Sequence, residues 1–138
     1  MRANALVPGR FLTLSAHVVL LVTLIWVYDE NVRACLPRDF SQAQYAAKST
    51  EMIVGLSLGL ILAVFEMVGF LTGVSMFFPS QALISTVAHC AATVALAYFV
   101  VDLWNCFAYW WIFALCSVLP AFTELCVIIG VVCLKKVP

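Results

Sequence analysis

The stretch Met52–Gly73, MIVGLSLGLILAVFEMVGFLTG, carries a single charge, Glu66, in an otherwise apolar run. A helix needs about 20 mostly apolar residues to cross a hydrocarbon core roughly 30 Å thick, and this run supplies them. Small residues recur along it: Gly55, Gly59, Ala63, Gly69 and Gly73 step with Glu66 by three or four. At about 100° per residue these positions share one helix face. Gly55–Gly59 and Gly69–Gly73 are GxxxG pairs, the spacing that lets helix backbones approach closely in a membrane. That face reads as a packing surface, either inside a bundle or against a partner helix.

The rest of the chain has the same character. Its 138 residues are 65% hydrophobic and 10% charged, with no formal net charge. The mean hydropathy is +1.11. A soluble domain carries about a quarter of its residues as charges. The composition therefore excludes a water-soluble globule and a disordered chain, and the absent basic surface excludes a nucleic-acid binder. Three further runs have membrane-spanning length: Phe11–Tyr28, Ala82–Val101 and Tyr109–Leu134. The predicted fold is an all-α membrane protein, one domain over residues 1–138, built as a four-helix antiparallel transmembrane bundle. Its spans are 11–28, 52–75, 82–101 and 109–134, with an outer loop over 29–51. The two later loops are short, which predicts that consecutive helices are neighbours.

Arg2 and Arg10 precede the first span, and Lys135 and Lys136 follow the fourth. The other face carries Arg33, Arg38 and Lys48 in a longer loop. The excess of basic residues places both termini in the cytosol. Trp26, Trp104, Trp110 and Trp111, with Tyr28 and Tyr109, then form an outer aromatic belt, and Phe77 and Phe78 mark the inner end of the second helix. The first span exceeds the usual signal-peptide core, and Val32-Arg33-Ala34 lies beyond Asp29 and Glu30, so it is read as retained. In the outer loop, Ser41 and Gln44 have capping-box spacing and Phe40 and Tyr45 sit at staple positions. They predict a short surface helix over 42–48, with an irregular loop as the alternative. Cys35 and Cys106 both fall in outer loops, where they either form a disulfide or stay free.

Each span holds one ionisable residue: His17, Glu66, His89 and Glu124. Such residues are expensive in lipid and normally face the bundle interior. Counting at 1.5 Å per residue, all four fall in one layer of the inner half of the bilayer. Ala82, Ser85, His89 and Ala92 share a face of the third helix, and Ala114, Ser117, Ala121 and Glu124 a face of the fourth. Pro120 cannot donate to the carbonyl of Cys116, which predicts a kink or loosening there. Three readings remain open for the layer: a structural hydrogen-bond network, a metal site, or a proton or ion path. No His-Glu-x-x-His or Glu-x-x-His pairing pre-arranges metal ligands. No catalytic, cofactor-binding or metal-binding residue is assigned, and no enzyme activity or small-molecule substrate is expected.

The strings LVPGRFLTLSAH (Leu6–His17), ACLP (Ala34–Pro37), GFLTGVSMF (Gly69–Phe77), LISTVAHC (Leu83–Cys90) and LPAFTE (Leu119–Glu124) carry a resemblance. Together and in this order they resemble the transmembrane protein 107 family, over nearly the whole chain. The resemblance implies a four-pass protein of the ciliary transition-zone membrane. It implies partners among other transition-zone membrane proteins, the tectonics and the Meckel-syndrome module. It further implies roles in cilium assembly, ciliary membrane composition, Hedgehog signalling and embryonic patterning, and it carries over no catalytic residue. The rival reading from the residues alone is a small proton or ion channel or transporter using the buried His and Glu layer.

Overall fold

The computed structural model describes residues 3–135; Arg2 and Lys136, which entered the orientation reading, lie outside the described residues. Helix α1 runs Ala3–Ala34, α2 Gln42–Leu71 and α3 Pro79–Val101. The fourth span is composite: α4 over Cys106–Phe113, a π-helical segment over Ala114–Val118, and α5 over Leu119–Val132. Among the described residues, four helical stretches are long and apolar enough to cross a membrane: Leu6–Ala34, Gln42–Leu71, Pro79–Val101 and Cys106–Val132.

The helix ends follow local chemistry, and several differ from the sequence expectation. The capping box at Ser41 forms: the Gln44 backbone N–H donates to Ser41 Oγ, and the Ser41 N–H donates to Gln44 Oε1. Phe40 stacks on Tyr45 beside it. The helix it starts does not stop at Lys48. No glycine or proline interrupts residues 42–54, so the helix propagates into the second span, and no separate surface helix exists. At its other end α2 stops at Leu71 rather than near residue 75, because Gly73 adopts a left-handed φ of +84°. Gly73 and Phe77 therefore belong to the connecting turn. Pro79 opens α3 from its first turn, where a missing N–H costs nothing. Asn105 caps α4, its side chain accepting from the Phe107 N–H.

Around the bundle, α1 packs against both α2 and α3, and the fourth span packs against the same two helices. Although joined by a short turn, α2 and α3 are not a close-packed pair. They face each other across the interior, and the turn crosses the diagonal. The gap is filled by polar side chains in the inner half and by Leu21, Leu24, Leu56, Leu96 and Phe99 in the outer half. Tyr109, read as part of the aromatic belt, is instead 2% exposed and donates a 2.5 Å hydrogen bond to the Gly55 carbonyl. The fourth span loses its simple helical phase at the π segment, where one turn is widened. Ala114 therefore turns outward while Ser117, Ala121 and Glu124 remain inside.

The glycine face of α2 is occupied within the bundle. A Cβ on Gly55 would lie 2.8 Å from a Tyr109 ring carbon, and one on Gly59 3.0 Å from the Tyr109 hydroxyl. Ala63 is buried on the same face. At the outer end, a disulfide joins Cys35 to Cys106 with Cα atoms 5.9 Å apart, and Asn31 Nδ2 donates to the Phe99 carbonyl at 2.9 Å. Gly55→Leu should lower unfolding stability in micelles by about 1–3 kcal/mol through overpacking against Tyr109. The lipid-facing Leu58→Ala should leave it nearly unchanged. Peptide mapping without reductant should recover the Cys35 and Cys106 peptides joined, and should recover them separately after reduction.

Candidate functional site

The inner half of the bundle contains a connected polar ladder rather than a flat layer. Its centre is Arg10, which the sequence reading placed as a flanking basic residue before the first span. Helix α1 begins earlier than expected, and Arg10 lies within it with no solvent exposure. Arg10 Nη2 donates to Glu124 Oε2 at 2.8 Å and lies 3.8 Å from Glu66 Oε2. Its Nη1 donates to both the carbonyl and the hydroxyl of Ser75, at 3.2 and 3.1 Å. The guanidinium carbon also lies 5.1 Å from the centre of the Phe70 ring, a cation–π contact.

Glu124 is held from three further directions. Ser75 Oγ donates to Oε1 at 2.6 Å, and Gln81 Nε2 donates to Oε2 at 2.9 Å. The third is a steric fit: a Cβ on Gly69 would fall 2.0 Å from Oε1. Gly69 thus belongs to this site and leaves no room for a docking helix. The sharp turn after α2 is what returns Ser75 to the interior. Gln81 also contacts the Pro120 carbonyl at 3.4 Å. The widened turn immediately before Pro120 accommodates the donor that proline lacks.

The second half of the ladder joins α1, α2 and α3. Ser85 Oγ donates to Glu66 Oε2 at 2.8 Å, and His89 Nε2 sits 3.0 Å from Glu66 Oε1. His89 Nδ1 lies 2.6 Å from His17 Nδ1. Glu66, His89 and His17 are therefore brought into direct contact, and Glu124 joins them only through Arg10. Over the seven residues from Arg10 to His17 the ladder rises about 10 Å along α1. Sequence reasoning missed Arg10, Ser75 and Gln81. All three sit at expected span ends, where polar residues normally face water.

The chemistry of this arrangement is electrostatic. One guanidinium between two carboxylates satisfies charges that would be costly alone in a bilayer. Among the described residues, no group of His, Cys, Asp and Glu side chains is arranged to hold a metal ion. The two imidazole nitrogens facing each other leave no space between them for one, since two 2.0–2.1 Å zinc–nitrogen bonds hold their nitrogens about 3.3 Å apart in tetrahedral geometry.

Gly69→Ala should displace the Glu124 carboxylate and cost about 3–5 kcal/mol, the scale for breaking a buried ion pair. Gly9→Ala is the internal control, because its Cβ would meet only Thr86 Cγ2 at 3.9 Å. Thermal unfolding of both variants in the same detergent should separate them clearly.

Comparison with known proteins agrees with this architecture. The TMEM107 family model, described as "Transmembrane protein", matches residues 6–128. The chain is 48% identical over 137 residues to transmembrane protein 107 of Homo sapiens, covering 99% of this chain and 98% of the relative. It is 47% identical over 135 residues to the Xenopus laevis protein of that name, covering 98% and 96%. It is 49% identical over 122 residues to the Danio rerio protein, covering 88% and 90%. No solved structure matches the chain. A match of this extent, on a chain whose four spans lock together through residues along nearly its whole length, has one consequence: the protein belongs to the transmembrane protein 107 family.

Proposed function

We propose that this multi-pass membrane protein is a non-enzymatic scaffold of the ciliary transition zone. In this role it helps assemble the Meckel-syndrome module with tectonics and other transition-zone membrane proteins. Cilium assembly, ciliary membrane composition and Hedgehog-dependent patterning depend on it through that assembly. Family membership supports the reading. The observation that carries it is that the ionisable groups of the polar ladder pair with groups of the bundle itself. Arg10, Glu66, Glu124, His17 and His89 are each matched by another group of the bundle. Outward of His17 and His89 the interior is filled by Leu21, Leu24, Leu56, Leu96 and Phe99. A substrate, an ion or a conducted proton would find no continuing row of polar groups there, so the channel reading gains no support.

Partners then meet this protein through helices. The longest stretches between spans, residues 35–41 and 72–78, are too short to carry a binding domain. The glycine face of α2 is filled internally, so the contacts fall on lipid-facing surfaces. Both termini are assigned to the cytosol. With Arg10 paired inside the bundle, the sequence leaves as many basic residues for one face (Arg2, Lys135, Lys136) as for the other (Arg33, Arg38, Lys48), and the orientation rests on the disulfide. Cys35 and Cys106 lie at the loop 1 and loop 3 end, and disulfides persist in the oxidising lumen or outside the cell.

The C-terminus, beyond Pro138, is the place to tag the protein for imaging in ciliated cells. Confinement to the ciliary base and co-purification of transition-zone membrane proteins are expected. Uniform plasma-membrane staining would overturn the transition-zone role, and ion flux in liposomes abolished by Glu66→Gln would overturn the scaffold reading.

A further inference from the structure

We propose that Glu66, His89 and His17 form a one-proton relay that switches the Arg10–Glu66 ion pair between α1 and α2. The geometry fixes the bookkeeping. A 2.6 Å contact between His17 Nδ1 and His89 Nδ1 requires one of these nitrogens to carry a hydrogen and the other to be bare. The 3.0 Å contact between His89 Nε2 and Glu66 Oε1 likewise needs one hydrogen.

With both rings neutral, two arrangements satisfy both contacts. In the first, His17 Nδ1–H donates to His89 Nδ1, His89 Nε2–H donates to Glu66, and Glu66 is a carboxylate. Arg10 then faces two anions, Glu66 and Glu124, and the cluster has one excess negative charge. In the second, the cluster holds one more proton, on His17 Nε2. The His17 Nδ1 proton has moved to His89 Nδ1, and the His89 Nε2 proton has moved to Glu66. The His17–His89 and His89–Glu66 hydrogen bonds both survive with their directions reversed. Both rings end neutral, Glu66 becomes a carboxylic acid, and the cluster carries no net charge.

The consequence is local and specific. With Glu66 neutral, the 3.8 Å Arg10–Glu66 attraction disappears and Arg10 is held by Glu124 and Ser75 alone. Neutrality favours the protonated arrangement in lipid, while the ion pair favours the other, so the two effects oppose each other. The groups facing the relay from each packed element are Arg10 on α1, Ser85 on α3, and Glu124 on α5 through Arg10. The Thr93 hydroxyl is turned to the His89 carbonyl, away from the ring nitrogens.

The chain has only two histidines, so the test is free of overlap. The full-length protein, labelled with 15N-histidine in lipid bilayers, is titrated with pH while ring nitrogen shifts are read by NMR. The expected result is a paired tautomer exchange. His17 passes from Nδ1–H to Nε2–H and His89 from Nε2–H to Nδ1–H, at one common midpoint, with neither ring accumulating as imidazolium. Separate midpoints, an imidazolium on either ring, or fixed tautomers throughout the pH range of the folded protein would overturn the proposal. Glu66→Gln keeps an oxygen or an N–H facing His89 but has no acid to receive the proton. Both rings should then hold one tautomer at every pH; a persisting paired exchange in the folded variant would also overturn it.

Discussion

A guanidinium buried in a bilayer imposes its requirements on everything around it. An arginine at the centre of a spanning helix costs about 2.5–3.5 kcal/mol on insertion scales even before packing is considered. Arg10 meets its principal partner, Glu124, on the fourth span. The first span therefore has no complete home until the fourth is present. The ion pair ties together segments 114 residues apart in sequence. Short loops cannot impose that connection, whereas a buried charge pair can.

Several otherwise unrelated features serve that pair. Gly69 gives the Glu124 carboxylate the space it occupies. The left-handed backbone at Gly73 ends α2 and lets Ser75 turn inward to bond both partners. Gln81, in the first turn of α3, reaches the same carboxylate. The π-helical segment before Pro120 resets the phase of the fourth span so that Glu124 faces Arg10. The diagonal placement of α2 and α3 leaves the width that these side chains need. In the outer half leucines, Phe99 and Tyr109 close the same gap.

The parts of this arrangement visible in sequence were those with a strong one-dimensional signal. Four apolar runs mark four spans because lipid tolerates little else. Glu66, His89, His17 and Glu124 stand out because each is an isolated ionisable residue in such a run. The capping box at Ser41 declares the start of a helix, but only the uninterrupted residues after it decide that this helix is already the second span. Arg10 was illegible for a physical reason: a basic residue near the start of a span ordinarily marks the cytosolic boundary, and its burial depends on a carboxylate distant in sequence. Ser75 and Gln81 look like loop residues until a turn folds them back. Tyr109 looks like a belt aromatic until Gly55 and Gly59 provide a seat for its ring. Phase across Ala114 was lost because a widened turn leaves no mark in hydropathy.

The central claim is that Arg10 and Glu124 are a mutually dependent buried pair on which the bundle rests. A double-mutant cycle with Arg10→Leu, Glu124→Leu and the double variant, followed by reversible unfolding in bicelles, tests it most directly. Each single variant should be strongly destabilised, because it strands a charge. The double variant should recover much of the loss and be more stable than either single, with a coupling energy of about 1 kcal/mol or more. Additive losses, with the double variant the least stable of the three, would contradict the account and return Arg10 to the membrane surface.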